Sequence, residues 1–149
     1  MESTLIEYGL EKVGSWIQSS HGSVHHLRAK CPFGIQFEIP RELLGKPNIV
    51  YAFVFDSVVR YVGETTAGMR SRFEGYRYGN PLESDTDNRI KLAITHSISV
   101  GESVEIWAGN PVSQLKLDSG SLIELPASKP VEERLIAHFQ PDLNVRNIG

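Results

Sequence analysis

Cysteine is nearly absent: Cys31 is the only one in 149 residues. An intramolecular disulfide framework and a multi-cysteine zinc site are both excluded, and a reducing, cytoplasmic setting is expected. Long apolar runs are missing too, and none has the ~20 residues of a transmembrane helix, so no membrane partner is expected. The opening MESTLIEYGLEK has an acid at position 2 and no basic segment leading into an apolar one, so a secretory signal is not expected. Cationic charge is in slight deficit, with 15 Lys and Arg against 18 Asp and Glu and a net charge of −3. Holding nucleic acid by overall charge is thereby disfavoured, because that mode needs lysine and arginine to neutralise phosphates. The five histidines lack ligand spacing: His25 and His26 would point to opposite sides of a strand, and His96 and His138 suit ordinary helix positions. Internal repeats and low-complexity stretches are absent.

What is present is ordinary in bulk and uneven in detail. A hydrophobic fraction of 40% and a charged fraction of 22%, over this length, describe one globular domain. Between Arg60 and Tyr78 lie four arginines (Arg60, Arg70, Arg72, Arg77) against two acids (Glu64, Glu74). Between Val24 and Lys46 lie Arg28, Lys30, Arg41 and Lys46 against Glu38 and Glu42. A basic face on an acidic protein stays open, and with it DNA as a partner.

Hydrophobic periodicity lays out the elements. Thr4–Lys12 reads as a helical or irregular start, and Val24–Arg28 and Ile35–Ile39 as short strands. Pro40, Gly45 and Pro47 then punctuate the chain. Residues 1–46 therefore read as an N-terminal extension, an arm for DNA contact or oligomer formation, and residues 47–149 as the main domain. In IVYAFVF, Tyr51, Phe53 and Phe55 share one face and Val50, Ala52 and Val54 the other. Asp56-Ser57 marks a turn, and VVRYVG returns as a second strand. Met69, Arg72, Phe73 and Tyr76 form one stripe of a helix over Gly68–Tyr78, stopped by Gly79-Asn80-Pro81. Asp85-Thr86-Asp87 supplies N-cap candidates for a second helix, with Ile90, Ala93, Ile94 and Ile98 on its buried stripe. Val104–Trp107 alternates like a third strand, Leu122–Leu125 is a further candidate, and Trp107 and Phe33 suit a core. Pro130 fits the first position of a last helix, whose Val131, Leu135 and Phe139 face inward. The expected fold class is α+β: a central antiparallel sheet of about three strands flanked by helices, with a short N-terminal extension.

The turn decides where Tyr61 lands. A loop with an odd number of residues, such as Phe55-Asp56-Ser57, sets Tyr61 opposite Tyr51 on one face, whereas a two-residue loop separates them. Joint chemistry of the two phenols requires the odd loop.

In order along the chain stand Ile49-Val50-Tyr51, Tyr61-Val62-Gly63, Arg72, Tyr76, Glu132 in the last helix, and Asn144 beyond that helix. This ordered set resembles the GIY-YIG nuclease family, over residues 49–145, roughly two-thirds of the chain. It is most similar to the family's standalone phage-type and restriction-type members. The first triplet stands where the family has Gly-Ile-Tyr, and the second where it has Tyr-Ile-Gly. The resemblance implies a GIY-YIG-like fold and a metal-dependent endodeoxyribonuclease, with DNA as partner. Tyr51, Tyr61, Arg72, Tyr76 and Glu132 would be catalytic, with Glu132 holding Mg²⁺ or Mn²⁺. Arg70, Arg77, Arg89, Lys91 and Asn144 are the expected DNA contacts. Glu64 departs from the pattern, since many members carry lysine there, and Arg89 or Lys91 could take that role. One site per chain implies nicking, so a double-strand cut would need a homo-oligomer, a dimer or a tetramer.

These residue types suit phosphodiester hydrolysis. Tyrosine, with a pKa near 10, becomes a general base only where cations depress it. Arg72 would stabilise both a Tyr51 phenolate and the scissile phosphate through its fork of donors. A divalent ion on Glu132 would polarise the phosphate, and one carboxylate leaves its other positions to water and substrate, which favours Mg²⁺ or Mn²⁺ over zinc. Plainer explanations exist for each residue. Tyrosines favour strands, and an acid in a first helical turn is stabilised by the macrodipole. That second explanation suits Glu133 better than Glu132, which lies in phase with Leu135, Ile136 and Phe139. For Asn144 the plain role is bonding backbone in the turn after the helix. The alternative function is a catalytically inactive DNA-binding or interaction module on the same fold.

Overall fold

The most continuous apolar run of the chain forms an inner strand of a five-stranded sheet. In this computed structural model, which describes residues 1–19, 34–79, 82 and 84–144, a short helix α1 (Glu2–Glu7) leads into β1 (Glu11–Gln18) and β2 (Ile35–Glu38). A 3-10 turn at Arg41–Leu43 precedes β3 (Ile49–Phe55) and β4 (Val58–Thr65). Two helices follow, α2 (Met69–Tyr78) and α3 (Asp85–Ser99), and then β5 (Val104–Gly109). A two-stranded ribbon of β6 (Val112–Lys116) and β7 (Leu122–Pro126) precedes α4 (Ser128–Phe139) and a closing 3-10 turn at Asp142–Asn144. The main sheet has the order β2-β1-β5-β3-β4 with every pair antiparallel.

All seven residues of β3 are buried, so the strand has cover on both faces and needs no polar alternation. On one face Tyr51, Phe53 and Phe55 join Trp16, Phe73, Tyr76, Ile90, Ile94 and Ile106 beneath α2 and α3. On the other, Val50, Ala52 and Val54 pack with Val62, Trp107, Leu5 and Leu135 beneath α1 and α4. Each side chain of this size adds ~1.5–3 kcal/mol when fully buried, so the two layers together are the main stabilising term.

The expected three strands become five because the first 46 residues lend two strands to the same sheet, with Trp16 in its core. Within the helical or irregular start expected over Thr4–Lys12, the helix ends at Glu7, and β1 begins at Glu11 after Gly9 turns the chain at φ 89°. A register shift between Lys12 and Gly14 breaks the alternation that would have announced β1. Ile35–Glu38 is a strand as expected, and the strand expected at Val24–Arg28 lies outside the described residues.

The turn between β3 and β4 is a two-residue one. Phe55 pairs with Val58, and both Asp56 (φ 49°) and Ser57 (φ 75°) are left-handed, the backbone that matches hairpin twist. The odd loop is therefore not there, yet the phenols still share a face. Val54 pairs with Val59 but Phe53 pairs with Tyr61, which leaves Arg60 as an extra, bulged residue. That one-residue slip restores the parity, with Tyr51 opposite Gly63 rather than Tyr61.

Among the described residues no helix is long and apolar enough to cross a membrane.

Candidate active site

Tyr51 lies on the face of β3 that packs beneath α2. Helical spacing lets Met69, Phe73 and Tyr76 seat α2 on the sheet while Arg72 sits at its margin, and all three of the former are buried. Edge-on ring packing fixes the cluster, with Tyr51 and Phe73 centroids 4.9 Å apart and Tyr61 and Tyr76 5.9 Å apart. Three hydroxyls then meet. Those of Tyr51 and Tyr76 are 2.6 Å apart and share a hydrogen bond, and the Tyr76 hydroxyl is 3.3 Å from that of Tyr61. Tyr51 and Tyr76 are closed to solvent at 0%, whereas Tyr61 keeps 8% exposure.

Gly63 makes this meeting possible. The Tyr51 ring crosses its cross-strand partner so closely that a Cβ at position 63 would lie 2.6 Å from the phenol oxygen. Any side chain there would push the hydroxyl away from Tyr76.

Arg72 supplies the cation. Its guanidinium carbon stands 4.3 Å above the Tyr76 ring, and Nη1 is 3.0 Å from the Asp87 carboxylate. Burial works against the Arg72 charge, but the Tyr76 and Tyr51 phenols and Asp87 together hold it above the usual guanidinium range. For Tyr51 the balance is the reverse of the sequence expectation. Burial raises its phenol well above the ordinary value, Tyr61 adds to this, and Arg72 and the Tyr76 hydrogen bond only partly offset it. Tyr76 is raised in the same way, by burial first and then by Tyr51. Both phenols are neutral in the free protein.

Glu132 projects from α4, half-buried, with 15% of its side chain exposed. Lys129, one turn earlier, places Nζ 3.3 Å from its carboxylate. The two influences oppose each other: burial raises the Glu132 carboxyl, while the Lys129 hydrogen bond lowers it, and burial prevails. Nearby Glu64 and Glu133 raise it further, and the Glu132 charge reaches Tyr51, where it disfavours the phenolate. Glu64 is itself held by the Ser128 hydroxyl, which donates to it at 2.9 Å. An inward acid with excess negative charge around it and one exposed lysine as partner fits a hard divalent cation with oxygen ligands. Among the described residues no group of three or more His, Cys, Asp or Glu side chains converges, so a closed protein cage of the zinc kind is not built there.

The residues expected to contact DNA are differently disposed. Arg70 is exposed. Arg77 instead donates to the Ile35 carbonyl at 2.8 Å and pairs with Glu74 at 3.1 Å, tying α2 to β2. Arg89 donates to the Leu143 carbonyl at 2.8 Å. Lys91 is buried and donates to the Tyr78 carbonyl at 3.0 Å, next to the end of α2. The Asn144 amide accepts from Val62 N and donates to Val62 O, both at 2.8 Å, so its polar atoms serve the edge of β4. The structure thus gathers Tyr51, Tyr61, Arg72 and Tyr76, brings Glu132 within electrostatic reach, and engages Arg77, Arg89, Lys91 and Asn144 elsewhere.

Sequence reasoning missed Asp87 as a site residue, naming it only among N-cap candidates. The cap is Ser84, whose Oγ accepts from Asp87 N at 3.1 Å. It also missed Ser128 and Lys129. The Asp87 and Ser128 contacts join residues on different elements, and no periodicity announces them.

Neither a protein-family model nor a curated protein sequence matches the chain. Several solved chains resemble it, two of which follow. The structure of a mutant of bacteriophage T4 EndoII is 20% identical, with a TM-score of 0.65, covering 97% of this chain and 98% of that one. That of restriction endonuclease HPY188I in complex with product DNA is 15% identical, with a TM-score of 0.49, covering 99% of this chain and 83% of that one. The chain shares its fold, over nearly its whole length, with the bacteriophage T4 EndoII mutant.

Proposed function

We propose that the chain is a metal-dependent DNA endonuclease of the GIY-YIG type, hydrolysing phosphodiester bonds with Tyr51 as general base. One observation carries this reading: the hydroxyls of Tyr51, Tyr76 and Tyr61 meet, at 2.6 and 3.3 Å, beside the half-buried Arg72 guanidinium. A purely structural core has no use for three phenols and a cation at one margin, because each polar group adds desolvation cost there. The fold shared with bacteriophage T4 EndoII supports the same conclusion.

In this mechanism Arg72 binds a non-bridging phosphate oxygen and stabilises negative charge at the Tyr51 oxygen. Tyr51 takes a proton from the attacking water, and the Tyr76 hydroxyl supports the oxygen as it ionises. Since burial keeps Tyr51 neutral beforehand, it first gives up its own proton to solvent by way of the Tyr76 and Tyr61 hydroxyls, once the site has gathered its positive charge, and only then acts as a base. Mg²⁺ or Mn²⁺, when bound, polarises the phosphate and steadies the leaving oxygen; Glu132 would hold it, exchanging Lys129 for the cation. Arg70, exposed near the start of α2, contacts the DNA backbone. A chain with one such site nicks, and cutting both strands takes two chains.

Supercoiled plasmid incubated with purified protein and Mg²⁺ tests this. Open circles should form, and Tyr51→Phe and Glu132→Ala should abolish them. Undiminished nicking by Glu132→Ala would overturn the mechanism. Complete closure of Tyr51 to solvent favours one other reading, an inactive DNA-binding module on this fold. It would show as plasmid retention in a gel without nicking.

A further inference from the structure

The acid that pairs with Arg72 comes from a separate helix, and the chain makes room for it at some cost. Asp87 lies in the first turn of α3, half-buried with 15% of its side chain exposed, and its Oδ1 is 3.0 Å from Arg72 Nη1. An acid in a first turn is ordinarily explained by the helix dipole. Asp85, exposed in the same turn, satisfies that explanation, whereas Asp87 is directed at Arg72. Gly75 is the second observation. It stands inside α2, where glycine weakens a helix relative to alanine. A Cβ at that position would lie 2.9 Å from Asp87 Oδ2 and 3.4 Å from Arg72 Nη1. The mid-helix glycine thus keeps open the space that the ion pair fills. Among the described residues no other carboxylate pairs with Arg72.

We propose that Asp87 is a positioning residue for Arg72: it anchors Nη1 so that the guanidinium lies over Tyr76 with its other donors directed to the substrate phosphate. This rests on the role given to Arg72 above. A guanidinium is a rigid planar fork, and the Asp87 carboxylate holds Nη1 by charge at ion-pair distance without a hydrogen bond, which limits where the rest of the fork can lie. Without the anchor, Arg72 keeps its charge but loses its aim.

The test pairs a readout free of cleavage with kinetics. In nitrogen-15-labelled protein, the Arg72 Nε–H resonance, assigned by its disappearance in Arg72→Lys, should be displaced by the Tyr76 ring current. Asp87→Asn, isosteric and uncharged, should return it toward the position of a free arginine, and Gly75→Ala should do the same. In plasmid nicking, Asp87→Asn should lower kcat by about 10- to 100-fold, as small misplacements do, with KM changed by less than about 2-fold. In an Arg72→Ala background it should cost nothing further. An unmoved resonance in both variants, or an equal loss of kcat in the Arg72→Ala background, would overturn the proposal. Should the wild type fail to nick at all, the endonuclease reading falls, while the resonance still decides the role of Asp87.

Discussion

At the scale of single residues, the proton on each phenol is the quantity to follow. Tyr51 and Tyr76 are both raised by burial, so the native state keeps protons that the unfolded chain loses near pH 10. Where the folded state binds more protons, stability falls as pH rises, and this loss begins as the pH passes the ordinary tyrosine value. Melting midpoints of the wild type should therefore drop more steeply between about pH 9 and 11 than those of Tyr51→Phe. The variant keeps the ring packing and gives up one hydrogen bond, a cost of ~0.5–1.5 kcal/mol at neutral pH. Parallel curves for the two proteins would remove Tyr51 as an ionisable group held by burial. Glu132 follows the same sign. Its raised carboxyl means that stability is full below the ordinary glutamate range and declines as pH rises through the folded value. Glu132→Gln should consequently melt above the wild type at pH 7 and alongside it near pH 4, while losing nicking. A variant that melts below the wild type at pH 7 would mean that Lys129 already balances this acid. The phenols, Arg72 and Glu132 could be named from the chain because their order along it resembles the motifs of a nuclease family, with phase against apolar neighbours only supporting Arg72 and Glu132. Asp87 could not, since its partner is chosen by how α2 packs on α3.

At the scale of elements, the helices and the two strands of the hairpin were legible, and the hairpin's register was not. Stripes such as Met69, Phe73 and Tyr76 follow the 3.6 period and mark their helices to within a residue or two. Strand β1 is hidden in the sequence because its shift between Lys12 and Gly14 interrupts the period of two. Parity in the β3–β4 hairpin depends on the bulge at Arg60, and VVRYVG contains nothing that distinguishes a bulged arginine from a paired one. Asp56 and Ser57 occupy a backbone region that costs L-residues ~1–2 kcal/mol each. Replacing them with Asn-Gly should raise stability by about 1 kcal/mol in a denaturant titration, with nicking unchanged. Deleting Arg60 should do the opposite, turning Tyr61 away from Tyr76 and ending both cooperative melting and activity. A deletion that melts and nicks like the wild type would show that the tyrosines do not depend on this register.

At the scale of the whole molecule, the segment expected as an appendage is part of the sheet, and the ribbon of β6 and β7 stands apart, exposed along its length. Composition could not separate these cases, because both segments mix polar and apolar residues. Sequence conveys which residues share a face; which strands become neighbours is set by long-range pairing. Long-range pairing leaves β4 as an outer strand of the sheet. Sheet margins invite other chains to add their own strands, and proteins suppress this in various ways. Here a single side chain does so: the Asn144 amide presents one donor and one acceptor to Val62, in the manner of a passing peptide group, and Arg60 fastens the same turn through Asp142. Asn144→Ala should free both Val62 groups, and light scattering on warming should then report clumping at temperatures where the wild type stays dispersed. An unchanged scattering onset would deny the side chain this role. The margin nearest the phenols is thus closed at Val62 by a mimic of the backbone.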